Sequence, residues 1–266
     1  MKRMTLSAAF ALASLGTWAG IIGPVQRMTP KAPESDQALM KLLGGYLLDP
    51  KTGKGAFAFI DAQDRCDAGV ISAVAKRVSE YVEISTVFAK ANKPALPEIS
   101  GLIAEAGGAA GLVVVDEPTL PMCLVAPEGK WAIVNVAALA ANGASTDIVA
   151  KRLTKELWRG FCFLGGSRPT ISANCVMNPA FTVEDLDKMP RDMITNEPRP
   201  YVTTHYKRMG VSQHRFATYS EAVEEGWAPQ PTNDYQKVIW DKIHAPPKTP
   251  LKIKFDPVAQ KGKVTK

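Results

Sequence analysis

Three short apolar runs alternate with two helix-patterned segments in the first half of this chain, and that alternation restricts the fold more than any other feature. The runs are GAFAFIDAQ (55–63), ISTVFAKA (84–91) and GLVVVDE (111–117). Each is too short for a buried helix, and the last is apolar throughout, as a strand covered on both faces must be. Between the first two lies AGVISAVAKRVSEYV, with Val70, Ile71, Val74, Val78 and Val82 at helical spacing. Between the second and third, Pro97-Glu98 opens a helix over 99–106 that Gly107-Gly108 ends. A β-α-β-α-β order with short connections predicts an α/β domain with a mostly parallel sheet.

Two further apolar runs, 122–126 and 131–136, flank the turn signal Pro127-Glu128-Gly129. They predict a hairpin that adds one antiparallel strand at an edge of the sheet. Ser145 or Thr146 then caps a long helix with the stripe Ile148/Val149, Leu153, Leu157, Phe161 and Leu164; Lys151, Arg152 and Lys155 lie off that stripe, and Gly165-Gly166 stops it. Residues 20–54 read as a linker with a helix-like piece from Ser35 to Leu48. Residues 191–266 read as an irregular extension of the core domain 55–190. Within it YSEAVEEGW and NDYQKVIWDKI are short-helix candidates, and the end from Pro257 is polar and basic.

Lys2 and Arg3 followed by an apolar run, Leu6 to Ile22, have the pattern of a secretory signal peptide over 1–19, with Thr17-Trp18-Ala19 as the cleavage tripeptide. The alternative is an uncleaved anchor, the only way this sequence would touch a membrane. The expected location is therefore outside the cytoplasm: periplasmic, envelope-associated or secreted. Charge agrees with a non-nucleic-acid role. The whole chain carries +6, of which Lys2 and Arg3 supply +2 and the tail Lys248–Lys266, with six lysines and one aspartate, +5. Residues 20–247 are left near −1, with no basic face for a polyanion.

Cys66, Cys123, Cys162 and Cys175 form no CxxC pair, and in an exported chain they permit disulfides in three connectivities. His205, His214 and His244 show no ligand spacing. Asp61, Asp64 and Asp67 cluster after the first strand and are the candidates for carboxylate acid–base chemistry; as a polar loop, they would instead include Asp67 as a helix cap.

One stretch is specific. Arg152 and Lys155 precede WRGFCFLGGSRPTISANCVMNP (158–179). This resembles the archaemetzincin family of metzincin zinc peptidases, whose pattern is R-x-x-K, then H-E-x-x-H-x-x-G-x-x-H-C-x4-C-x-M. With Arg159 at the first histidine, Gly166, Cys175 and Met177 fall without a gap on the glycine, second cysteine and Met-turn methionine. CVMNPAFTVEDLDKMP and the 111–139 segment also resemble the family, so the likeness covers 55–190. It implies a metzincin-like sheet with an antiparallel edge strand above a cleft.

The departures carry the functional expectation. The three ligand positions hold Arg159, Phe163 and Pro169, and the general-base position holds Gly160. The chemistry needs neutral nitrogen ligands on Zn²⁺ and a carboxylate to take a proton from bound water. Arginine does not deprotonate to ligate, and the other three residues offer neither ligand nor base. A second register, Lys155-Glu156-Leu157-Trp158-Arg159, keeps the glutamate but replaces both histidines with cations. Either register implies no metal and no cofactor. The expected protein is an inactive pseudopeptidase that binds a peptide, glycoprotein or envelope partner, with Arg159, Phe163 and Trp158 as candidate contacts. The rivals are a hydrolase using a non-zinc carboxylate site and a structural envelope protein. Arg159 has two readings: a fork for an acidic ligand, or a local partner of Glu156 at i−3.

Overall fold

The structure, a computed structural model, describes residues 22–28, 44–52, 55–172, 174–196 and 198–246. The 1–19 leader, the cleavage tripeptide and the tail from Pro257 lie outside the described residues, as does 35–43 of the helix-like piece. Among the described residues, no helix is long and apolar enough to cross a membrane. The chain divides into two compact units, one of residues 1–32 and 48–215, the other of 33–47 and 216–266.

The first unit is built on a six-stranded sheet. Its strands are β1 (Gln26–Met28), β3 (Ala56–Ala62), β4 (Thr86–Lys90), β5 (Gly108–Val115), β6 (Cys123–Ala126) and β7 (Trp131–Asn135), in the spatial order β1-β4-β3-β5-β7-β6. β4, β3, β5 and β7 are parallel. The hairpin strand β6 pairs antiparallel with β7 at one edge. A second antiparallel strand, β1, closes the other edge on β4; three residues beside a proline give no alternation by which to foresee it. Helices α1 (Ala68–Val82) and α4 (Thr146–Leu164) cover one face, and α2 (Ile99–Glu105) covers the other. Successive residues of β3 serve the two layers, Phe57 and Phe59 toward α1 and α4, Ala58 and Ile60 toward α2.

The caps follow the local sequence. Asp67 Oδ1 accepts from Gly69 N–H (2.8 Å) at the start of α1, and Ser145 Oγ accepts from Ile148 N–H (3.4 Å) at the start of α4. The stripe Val149, Leu153, Leu157, Phe161 and Leu164 is buried, while Ile148 is exposed. A short helix α3 (Val136–Leu139) precedes α4, and α5 (Val183–Lys188) follows it. Helix α6 (Arg199–Met209) falls where the sequence suggests irregular extension. Pro198 and Pro200 and a polar run mask its pattern, yet Val202, Tyr206 and Met209 enter the core. Tyr206 stacks on Phe161 with centroids 4.7 Å apart and donates its hydroxyl to the Phe161 carbonyl.

The second unit contains α7 (Tyr219–Glu224) and α8 (Asp234–His244), over the two short-helix candidates. Strands β2 (Tyr46–Leu48) and β8 (Phe216–Thr218) form a two-stranded sheet. The helix expected to continue to Leu48 is therefore wrong over 46–48. Gly44 and Gly45, at φ +72° and +90°, hold a left-handed backbone that no helix continues through.

Ser79 of α1 and His214 are joined through Oγ and Nε2 at 2.7 Å, tying the helix to the 212–214 segment. Burial holds the His214 imidazole below its usual 6.5, with the Ile84 backbone and the Glu83 carboxylate opposing. The unfolded chain therefore takes up a proton that the folded state resists. Stability is present above pH 6.5 and falls as pH drops through 6.5 toward the lower folded value. Chemical denaturation across that window is expected to show the loss in the wild type and a flatter profile in His214→Asn.

Candidate functional site

The site grows from three cations on α4. Arg152, Lys155 and Arg159 stand three and four residues apart, hence along one line of the helix. They lie off the apolar stripe, but they do not simply face water. Each reaches carbonyls at a helix end or in a turn. Arg152 donates to Leu139 O (2.7 Å) and Ala141 O (3.2 Å) and grips Asp187 through Nε and Nη2 at 2.9 and 2.6 Å. Lys155 Nζ donates to Leu186 O (2.6 Å) and Met189 O (2.9 Å). Arg159 reaches the turn around Met177: Nη1 donates to Val176 O (3.0 Å) and Asn178 O, and Nη2 to Ala180 O (3.3 Å).

Arg159 is 4% exposed and its guanidinium also lies over the Phe163 ring, 5.2 Å from the centroid. Its Nε stands 2.9 Å from Glu156 Oε2. The N–H is not aimed at that oxygen, so this is a close charge contact rather than a directed hydrogen bond. Burial pushes the Glu156 carboxyl above the usual range, and Arg159 pulls the other way. Glu156 as the local partner is thus the reading of Arg159 that the geometry matches. Three of the five guanidinium N–H groups are taken by the turn carbonyls, and Nε lies against Glu156 rather than toward an incoming acid.

Met177 is fully buried in the main core, and its carbonyl accepts from Thr170 N–H (2.9 Å). A thioether fills irregular space there without strain. The chain just after this methionine, Pro179 and Ala180, lines a cleft of about 800 Å³. Its walls bring together Arg159, Phe163 and Pro169, the three positions that the family pattern gives to metal ligands. Cys123 and Val125 of the edge strand also line the cleft, with Met122 just before them and the 86% exposed Phe181.

Gly160 faces the sheet. A Cβ there would stand 3.0 Å from Leu112 Cδ1, 3.3 Å from Cys123 Sγ and 3.4 Å from Val134 Cγ2. The glutamate of the family pattern has no room in this packing. Nor do the residues at the ligand positions fit zinc: a permanently protonated guanidinium, a phenyl ring and a proline. Among the described residues no group of three or more His, Cys, Asp or Glu is placed to hold a metal ion.

The remaining candidates are scattered. Trp158 is not a cleft residue: it is fully buried, edge-on to Tyr81 and Phe161 at 6.3 and 6.1 Å. It points into the core because it neighbours the stripe residue Leu157. Asp61, Asp64 and Asp67 do not line the cleft. Asp61 is buried, accepts from Gln63 Nε2 (3.1 Å), and is raised by burial; Asp67 is the α1 cap and Asp64 is exposed. All four cysteines are free thiols, and burial pushes Cys123 and Cys162 far above the range of a nucleophile. His205 lies against Gly166, and His244 stacks on Trp240 at 4.3 Å. Phe181 and Glu184 in the cleft wall lie within CVMNPAFTVEDLDKMP, whose likeness to the family does not single them out.

Fold and cleft define an α/β domain with a mostly parallel six-stranded sheet and a cleft beside its β6 edge. Solved structures similar to this chain include the archaemetzincin of Methanopyrus kandleri, with 19% identity, a TM-score of 0.46, and coverage of 60% of this chain and 100% of that one. A zinc-dependent peptidase from Methanocorpusculum labreanum aligns over 56% of this chain and 100% of its own, at 16% identity and a TM-score of 0.42. The archaemetzincin of Archaeoglobus fulgidus complexed with malonate aligns over 54% and 98%, at 16% identity and a TM-score of 0.36. These are likenesses of fold, and the assignment of the cleft rests on this chain's own side chains. The chain matches no family profile and no curated protein.

The contacts at Gly160 generate a direct test. Gly160→Glu must bury a carboxylate against Leu112 and Val134 or push α4 off the sheet, and is expected to destabilise the protein by at least roughly 3 kcal/mol. Denaturant unfolding measures it; wild-type stability in this variant would mean the helix has slack the packing does not show.

Proposed function

We propose that this chain is an exported, catalytically inactive metzincin-like domain, a pseudopeptidase, that holds an extended peptide segment of a protein or glycoprotein partner without cutting it. The observation that carries the reading is the state of Arg159. Its guanidinium stands at the first ligand position with its donors directed to Val176, Asn178 and Ala180 and its charge beside Glu156. What the cleft still offers is shape and apolar surface. β6 is an edge strand whose four residues are half-buried, and Phe163 and Phe181 supply aromatic surface nearby. An extended segment can add to such an edge by main-chain hydrogen bonds, with its side chains over the apolar wall. Because Arg159 is engaged and Glu156 and Glu184 line the cleft, a neutral or basic segment suits it better than an acidic one. Export follows from the leader pattern Lys2-Arg3, the apolar run and Thr17-Trp18-Ala19.

A peptide array probed with the full mature protein, followed by calorimetry of the best sequence, tests the reading. Phe163→Asp is expected to weaken binding about tenfold or more, close to 1.4 kcal/mol. Mass spectrometry after prolonged incubation is expected to return the peptide intact. Cleavage of the bound peptide by purified protein, or binding that ignores Phe163, would contradict it.

A further inference from the structure

We infer that the cleft contains a guanidinium-recognition site, built from Glu156, the Phe163 ring and the carbonyls of Val176, Asn178 and Ala180, and occupied in cis by Arg159. The inference goes beyond peptide holding and does not depend on it. Each wall of the site meets a different property of a guanidinium ion. Glu156, 3% exposed, gives a buried negative charge 2.9 Å from Nε. The carbonyls of Val176, Asn178 and Ala180 take the fan of Nη donors along one edge. The Phe163 ring covers the flat cation at 5.2 Å. A planar cation with five donors satisfies all of these at once, whereas a compact ammonium does not. Zinc would find a single carboxylate and no histidine or thiolate among these groups.

The site also explains why losing the metal positions need not loosen the domain. In the pattern this stretch resembles, a metal ion would join the helix to the chain that follows it. Here Arg159 joins α4 to the turn at 176–180 with a fixed charge. That link needs no loading and has no dependence on metal supply.

Calorimetric melting of Arg159→Ala, with and without added alkylguanidinium, tests this. The truncation leaves a buried glutamate and three carbonyls without their cation, and a fall in Tm on the order of 10 °C is expected. Millimolar ethylguanidinium chloride should raise the variant's Tm saturably and leave the wild type unchanged. Ethylammonium chloride, sodium chloride and zinc at matched concentration should leave the variant where it was. Adding Glu156→Gln should weaken the ethylguanidinium response roughly tenfold. No saturable rise, or an equal rise with ethylammonium or zinc, overturns the assignment. If the alanine variant does not fold, Arg159→Lys decides: the site requires it to melt below the wild type, and full wild-type stability overturns the proposal.

Discussion

The buried guanidinium of Arg159 is the contact on which the arrangement of the cleft depends. A charge removed from water costs several kcal/mol unless its surroundings replace the lost solvation. Here they do so from three directions, with Glu156, the carbonyls of the Met177 turn, and the face of Phe163. Because those groups come from both the helix and the turn, satisfying the charge fixes where the turn sits. Met177, on that turn, is fully buried in the core.

Arg152 and Lys155 extend the same principle along the helix. Chain that is neither helix nor strand must still find donors for its carbonyls once it is covered. The same need arises at helix ends and in turns: the ends of α3 and α5 and the 176–180 turn each present carbonyls to one cation of α4. The helix therefore uses two faces, one apolar against the sheet and one cationic against helix ends and a turn. Disulfides are not needed for this: Cys162 and Cys175 are buried as free thiols within the same core.

Much of the parallel sheet was legible, because 55–63, 84–91 and 111–117 are short, apolar and bounded, and the helices between them have clean periodicity. The hairpin was legible from Pro127-Glu128-Gly129 and its two flanking runs. The edge strand β1 and helix α6 were not, one for brevity and the other because proline and polar residues dilute its three buried positions. At the site, Arg159, Phe163 and Pro169 could be placed together only through a resemblance of spacing. The engagement of Arg159 was half legible, since Glu156 lies one turn away but the three carbonyls lie 17 to 21 residues on. Periodicity misleads twice. Arg152, off the apolar stripe, is buried. Trp158, next to Arg159, faces the core instead of the cleft.

We propose that a fixed organic cation, Arg159, stands where the pattern this stretch resembles would hold a metal ion. Anomalous diffraction from crystals of the mature protein grown with excess zinc, recorded on both sides of the zinc absorption edge, tests it most directly. The account predicts no anomalous peak in the cleft bounded by Arg159, Phe163 and Pro169, and guanidinium density reaching the Val176 and Asn178 carbonyls. A full-occupancy zinc in that cleft, with Arg159 displaced from the turn, would contradict it.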